Sequence, residues 1–540
     1  MRRTIVCWLA AATCFASLIG AQEKPAAEKP PENQVGGLRF IDVSEVIIKN
    51  VDVTVTTKGG TPVLNLRPQD FVVTQDGDPQ EVVNFALYTT AGVARSEAAT
   101  PVPPTATAST PARPPASEPE VQREPTYLVL YVDNENLTVF DRNRVINKMT
   151  DWVDEHLKAP DQMAVVSYQK SFKFQQGFTS SPEDIESALH GLKMYTGGRQ
   201  EVISSRRDIE DAMDPTSGQR VDAESVLSRT RAWAREQRNA LTFTVRALQD
   251  LISQMSGLQG KKAIVYLSDG LPMTPGEELY YQLQDVAQSP GIVAESRQFD
   301  ATSLYRGLVI AAASAGVTLY TIDARGLHSD LGIEAENRQA RSTLAASIAA
   351  SNYQDSLMYM ADQTGGLCVI NTNDVTQGLE NIAENFGTYY SLGYRLVPSG
   401  SDRPHRIEVE VKDHPEYRLN YSRTFIEKTL PTRVADRVMT GLAFDIDENP
   451  LEIEVASGEV APAANDRWTL PVDVKIPLKN VALVPDGDDL VGYVMVYYAA
   501  RDSEGKQSGL QTQEQAIKVP RKEYEEARGK YYTVTAKLLL

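Results

Sequence analysis

Cysteine is nearly absent: the 540-residue chain has three, and two of them, Cys7 and Cys14, fall in an apolar stretch near the start. Once that stretch is removed, Cys368 alone is left, so no internal disulfide can form even in an oxidising compartment. Its setting, L-C-V-I, is that of an inert thiol in an apolar strand. Histidine is also scarce, and His156, His190, His328, His405 and His414 show no metal-ligand spacing. The chain has no H-E-x-x-H and no G-x-S-x-G, and Gly257 to Lys262 lacks both the spacing and the hydroxyl residue of a phosphate-binding loop. These absences leave hydrolytic and redox chemistry with little support. Positive charge is outweighed, with 54 Lys and Arg against 72 Asp and Glu for a formal charge of −18. That balance argues against nucleic acid or an anionic membrane as partner.

Beyond the first 20 residues no run is long and apolar enough to span a bilayer, so no membrane span is expected in the mature chain. The start itself, Arg2-Arg3 followed by apolar Ile5 to Ile19 and then Gly-Ala-Gln, reads as a secretory signal over 1–21. Removing it shifts the formal charge to −20, from 52 basic and 72 acidic residues. The expected location is therefore outside the cytoplasm: periplasm, cell envelope or medium.

The length calls for about three domains. A flexible leader is expected over 22–36, then a β segment over 37–90, where Val51, Val53 and Val55 alternate with Asp52, Thr54 and Thr56. About half a sandwich is present there, too little to stand alone. A run with eight prolines, Ala91 to Pro125, reads as an extended linker over 91–125. An alternating β/α series fills 126–388. Within it Thr196 to Gly218 reads as an exposed excursion and Asp222 to Ser256 as one long helix. A second β segment over 389–428 could close the first into one sandwich around the inserted α/β domain. Residues 429–540 read as a C-terminal immunoglobulin-like β domain. Its last strand, ending in K-L-L-L, is either the closing strand or the sign of a truncated chain, with truncation the favoured reading.

Two runs organise the α/β series. Tyr127 to Val132 and Lys262 to Leu267 are apolar enough for strands buried on both faces, and they break at Asp133 and near Asp269. In a doubly wound sheet the carboxyl ends of strands flank the ligand crevice, which gives Asp133 and Asp269 one address. Glu135 follows two positions after Asp133. Three acids in one crevice repel, so either a hard cation with oxygen ligands or an adjacent basic group must compensate. The plainer reading is that the aspartates accept bonds from loop amides.

Several stretches together resemble the von Willebrand factor type A fold, and are most similar to VWFA-related secreted bacterial proteins of the acidobacterial type. They are L-V-L-Y-V-D-N-E-N, D-Q-M-A-V-V-S-Y, G-K-K-A-I-V-Y-L-S-D-G, A-G-V-T-L-Y-T-I-D, A-D-Q-T-G-G-L and Y-Y-S-L-G-Y, with V-D-V-T-V-T-T-K-G-G ahead of them. The resemblance covers about Val43 to Phe425. It implies an α/β fold with a doubly wound, mostly parallel six-stranded sheet whose first and fourth strands are adjacent, flanked by β-sandwich domains. It also implies a binding protein rather than an enzyme, with a metal completing its coordination on a partner's acidic group. The family's metal pattern is Asp-x-Ser-x-Ser, then a threonine, then an aspartate. Asp133 and Asp269 match, Glu135 and Leu137 stand where the serines belong, and Thr196 is the nearest threonine. Two readings follow: one divalent cation (Mg, Mn or Ca) held by Asp133, Glu135 and Asp269, or a metal-free site. The expected partner is a protein or glycan ligand. The alternatives are a metal-independent envelope scaffold and, third, an extracytoplasmic carboxylate-based hydrolase.

Overall fold

The computed structural model describes residues 47–89, 92–98, 125–214, 221–327, 343–397, 399–446, 449–463, 467–502 and 507–539. The expected signal and leader lie outside them. The chain divides into two compact units, Val46–Ile446 and a smaller one carrying Asp447–Leu540.

In the larger unit the amino-terminal strands are β1 (Ile47–Thr56), β2 (Phe71–Gln75), β3 (Asp78–Gln80), β4 (Val82–Thr89) and β5 (Gly92–Ala98). The α/β series follows with β6 (Tyr127–Asp133), α1 (Val139–His156), β7 (Gln162–Gln169), β8 (Ser171–Thr179), α2 (Pro182–Leu192), α3 (Arg199–Ala212) and α4 (Ala223–Gln254). It continues through β9 (Lys262–Ser268), α5 (Glu277–Ala287), α6 (Thr302–Ala315), β10 (Val317–Asp323), α7 (Thr343–Thr364), β11 (Cys368–Val369) and α8 (Thr376–Gly387). The chain then returns to β structure in β12 (Tyr389–Leu396), β13 (Arg403–Val411), β14 (Arg418–Asn420) and β15 (Thr424–Glu427), and adds α9 (Leu430–Phe444).

The central sheet has six strands in the order β11-β10-β9-β6-β7-β8. Every neighbouring pair is parallel except β7 with β8. Its first and fourth strands, β6 and β9, are neighbours, so the fold is the expected von Willebrand factor A-like arrangement. Both faces of β6 are covered because its side chains alternate between two apolar layers. Leu128, Leu130 and Val132 pack with Val145, Met149 and Ile382 under α1 and α8. Val129 and Tyr131 pack with Val245, Leu248 and Leu308 under α4 and α6.

Strands from the two flanking segments share sheets: β1 lies between β14 and β12, and β13 lies between β15 and β2. The five-stranded and four-stranded sheets enclose Val53, Phe71, Phe85, Tyr390, Leu392 and Ile407 in one core. The two segments are therefore complementary, each supplying strands the other lacks.

Three local expectations differ from what is observed. Part of the linker expected over 91–125 is a strand instead, since Gly92–Ala98 pairs antiparallel with β4, placing Leu87 opposite Arg95; residues 99–124 lie outside the described residues. The prolines start only at Pro101, and the open edge of β4 has backbone groups that need partners. Arg95 also donates to the Leu66 carbonyl at 2.7 Å. The excursion expected from Thr196 holds helix α3, whose Ile209 is buried with Trp233 and Leu279. The domain expected from 429 starts later, since α9 belongs to the larger unit and its Phe444 packs edge-on against Phe174.

In the smaller unit, β18 (Arg467–Pro477) pairs on one side with β16 (Glu454–Ser457) and β17 (Ala461–Ala463), and on the other with β22 (Tyr531–Leu539). A three-stranded sheet holds β19 (Val484–Asp486), β20 (Asp489–Tyr498) and β21 (Gln511–Pro520). Val474, Ile476 and Val534 meet Val494 and Val496 between the two. Among the described residues no helix is long and apolar enough to cross a membrane.

Candidate functional site

Parallel pairing sets Val132 opposite Leu267, so the residues after them emerge at one end of the sheet. Asp133 and Asp269 are thereby side by side, and Asp323 closes β10 next to them, with Ser268 opposite it. All three aspartates are buried.

Asp133 caps the short helical turn Asn134–Asn136 and accepts from the Asn136 backbone N–H at 3.3 Å. The Asn136 amide donates to its two oxygens at 3.1 and 2.9 Å, the Ser268 hydroxyl donates at 3.3 Å, and the buried Tyr266 hydroxyl adds a further bond. Loss of water pushes this carboxyl up to about 6, against the pull of those bonds. Asp269 is less well provided. One oxygen accepts from the Thr138 N–H at 3.2 Å and faces the Arg199 Nε at 3.5 Å, while the other is buried with no partner. Burial pushes it up to about 7, opposed first by the Arg199 charge. Asp323 differs again, because Arg325 forks onto both of its oxygens at 3.0 and 2.9 Å and Gln354 donates at 3.1 Å. Against burial, those contacts hold its carboxyl below the usual range. Arg199 and Arg325 both lie over the Tyr353 ring, with guanidinium carbons 5.0 and 5.5 Å from its centre.

Of the residues named from sequence, Asp133 and Asp269 come together, both buried, at the carboxyl ends of β6 and β9. Glu135 sits half-buried on the turn, pressed by Gly198, where an added Cβ would lie 2.7 Å from the Glu135 carbonyl oxygen. Leu137 is fully buried in the core beneath α1. Thr196 is exposed, and its carbonyl accepts from the Asn134 amide at 2.7 Å. A divalent cation of the hard class requires several oxygens aimed at one point. Here both oxygens of Asp133 already take protein donors, Leu137 offers none, and one oxygen of Asp269 faces a guanidinium, which leaves its other oxygen as a single free buried donor. The donor set in this arrangement does not fit such a cation. Among the described residues, ligand atoms within 4.8 Å of one another occur instead in Glu155, His156 and Glu380, on α1 and α8.

A compensating basic group was one of the two expectations, but which residues supply it was not foreseen. Arg199 stood in a segment that reads as a polar loop, and the one signal for it was Gly197-Gly198, whose missing side chains let that segment approach the turn after β6. Arg142 is fully buried and, among the described residues, has no carboxylate partner; it donates to Asn134 Oδ1 and to the Lys193 carbonyl at 3.2 Å. It holds Asn134, and with it the turn that presents Asp133 and Glu135. Cys368 is half-buried, and burial pushes its thiol up to about 11, as an inert cysteine requires.

No family model and no curated protein matches the chain. Among solved structures, it is similar at 12% identity to the conserved hypothetical protein BatB from Bacteroides thetaiotaomicron, over 48% of this chain and 96% of that one, with a TM-score of 0.24. Proximal thread matrix protein 1 from the mussel byssus, with a zinc-occupied MIDAS motif, is similar at 14% identity over 50% of this chain and 47% of that one, with a TM-score of 0.24. The manganese-loaded TRAP protein of Plasmodium vivax is similar at 10% identity over 55% of this chain and 92% of that one, with a TM-score of 0.20. At scores of this size the likeness carries no weight of its own, and the fold rests on the strand order described above.

Proposed function

We propose that the chain is an exported, non-catalytic binding protein of the von Willebrand factor A-like kind, recognising a protein or glycan ligand at the crevice of Asp133, Glu135 and Asp269 without a metal ion. The observation that carries this reading is the pairing of buried acid with base. Arg199 faces Asp269 at 3.5 Å and Arg325 forks onto Asp323, so the negative charge at the strand ends is offset from within. The Arg199 side chain is 13% exposed, enough for its outer edge to meet an acidic group of a ligand. Export rests on the apolar stretch after Arg2-Arg3, and the family assignment on the motifs and the strand order together.

The runner-up keeps the metal, with Asp133, Glu135 and Asp269 reorganising around one divalent cation. A scaffold role for the β domains needs no crevice at all. A carboxylate-based hydrolase is disfavoured because Asp133 is closed off from solvent and saturated with protein donors.

Glycan and acidic-peptide arrays probed with the full chain separate these readings. Binding that survives EDTA and is lost in Arg199→Ala supports the metal-free crevice. Binding that EDTA abolishes and Mn²⁺ restores supports the runner-up. Binding indifferent to both belongs to the scaffold.

A further inference from the structure

At the opposite end of the central sheet, where β9 and β10 begin, a cavity of about 380 Å³ separates them from the sandwich. That volume lies at the small end of the range for ligand sites. Its charged lining is lopsided, with Lys49 and Lys261 against Asp52 alone.

Lys261 directly precedes β9. Its ammonium donates to the Phe386 carbonyl at 2.7 Å and lies 3.7 Å from the centre of the Tyr389 ring, and among the described residues no carboxylate pairs with it. Lys49, on β1, lies 4.7 Å over the Phe425 ring and has no hydrogen-bond acceptor among the described residues. Asp52 is itself engaged by the Ser391 hydroxyl at 2.9 Å. A third ammonium close by, Lys262, donates to the Leu258 carbonyl at 2.9 Å. Burial lowers all three lysines, Lys261 and Lys262 to about 8, and the attraction of Asp52 for Lys49 and Lys261 and of Asp436 for Lys262 offsets it only in part. The polar wall is unfinished as well. Asn385 is buried, its carbonyl oxygen accepts from the Tyr320 hydroxyl at 2.7 Å, and its amide nitrogen has no acceptor. Asn50 and Asn420 add amides to the same lining.

Two ammoniums and the Asn50 and Asn420 amides therefore line a polar space whose one carboxylate, Asp52, is already engaged, and the unpaired Asn385 amide lies within its wall. We propose that this cavity binds a small oxyanion, a phosphate or a carboxylate, carried on a polar body no larger than a monosaccharide, with Lys49 and Lys261 holding the charge and Asn385 donating to it. The site shares no residue with the crevice at the far end of the sheet, so neither proposal depends on the other.

Calorimetric titration of the full chain with inorganic phosphate, glucuronate and glucose tests it, alongside Lys49→Gln and Asn385→Asp. Both substitutions leave the Lys261 bond to the Phe386 carbonyl in place, and circular dichroism checks that each variant is folded. Saturable binding of phosphate, glucuronate or both is expected, with none for neutral glucose. Which of the two anions binds identifies the headgroup. Lys49→Gln should weaken binding about tenfold or more, the usual loss for one charge-assisted contact. Asn385→Asp, which places a carboxylate where an acceptor-bearing ligand would sit, should abolish it. The proposal is overturned if neither anion saturates, if glucose binds as well as glucuronate, or if folded Lys49→Gln and Asn385→Asp bind like the wild type.

Discussion

The two ends of the central sheet treat buried charge in opposite ways. At the carboxyl ends, three aspartates are met by two arginines, a tyrosine hydroxyl and an asparagine, so most of the charge is answered inside the protein. At the amino ends, two lysines line a cavity with one acid already engaged by a serine. The contrast separates a charge that holds a loop in place from a charge left for something else to answer. It also explains why the crevice, although built on the right strands, does not present a set of free oxygens to a cation.

The largest break in that comparison is expected at Asp133. Replacing it with alanine removes the acceptor for the Tyr266 hydroxyl and the Asn136 amide, and leaves the buried hydroxyl with no group to donate to among the described residues. A loss of roughly 3 kcal/mol is expected in urea unfolding. Asp133→Asn, which keeps one acceptor, should cost less.

The next effect concerns pH. The folded-state values of Asp133 and Asp269, about 6 and about 7, lie above the ordinary aspartate value near 3.8. Between that value and about 7 the native state binds more protons than the unfolded chain, so these two groups make stability rise as pH falls through about 7 and then about 6. The sign is opposite to that of a salt-bridged carboxylate such as Asp323, which loses its contribution only in stronger acid. Urea midpoints at pH 8 and pH 5.5 should show this rise, and Asp269→Asn should flatten it. Arg199→Leu should move the Asp269 titration further up, read from the carboxyl carbon shift. A wild type whose slope matches that of Asp269→Asn would contradict the account.

The smallest effect is expected at the other end. Among the described residues Lys49 makes a ring contact and no hydrogen bond, so Lys49→Met should change stability by no more than about 0.5 kcal/mol, on the stabilising side, in the same unfolding assay. A clear loss would mean that its ammonium is already matched.

Much of this was legible along the chain. The apolar runs before Asp133 and Asp269 specify buried parallel strands, and aspartates at their ends share an address because register carries both to one edge. The need for a compensating basic group was also legible, but its identity was not. Arg199 follows two glycines in a segment rich in charge, and the helix there shows its apolar side only once Trp233 and Leu279 are seen to cover Ile209. Strand β5 was hidden by the proline run that follows it, since strand pairing depends on an open edge elsewhere. Helix α9 carries Pro431 near its start, a valid signal lost among the turns and alternations around it. The lysine cavity was out of reach altogether. Lys49 and Lys261 are more than 200 residues apart, and a lysine at the edge of a strand reads as a solvated charge until a second layer closes over it.

Calorimetric titration of the wild-type chain with Mg²⁺, Mn²⁺ and Ca²⁺ tests the central claim, internal neutralisation of the crevice by Arg199 and Arg325, most directly. The account predicts no saturable heat with any of the three. A saturable one-site isotherm that disappears in folded Asp269→Ala would contradict it and return the crevice to a metal.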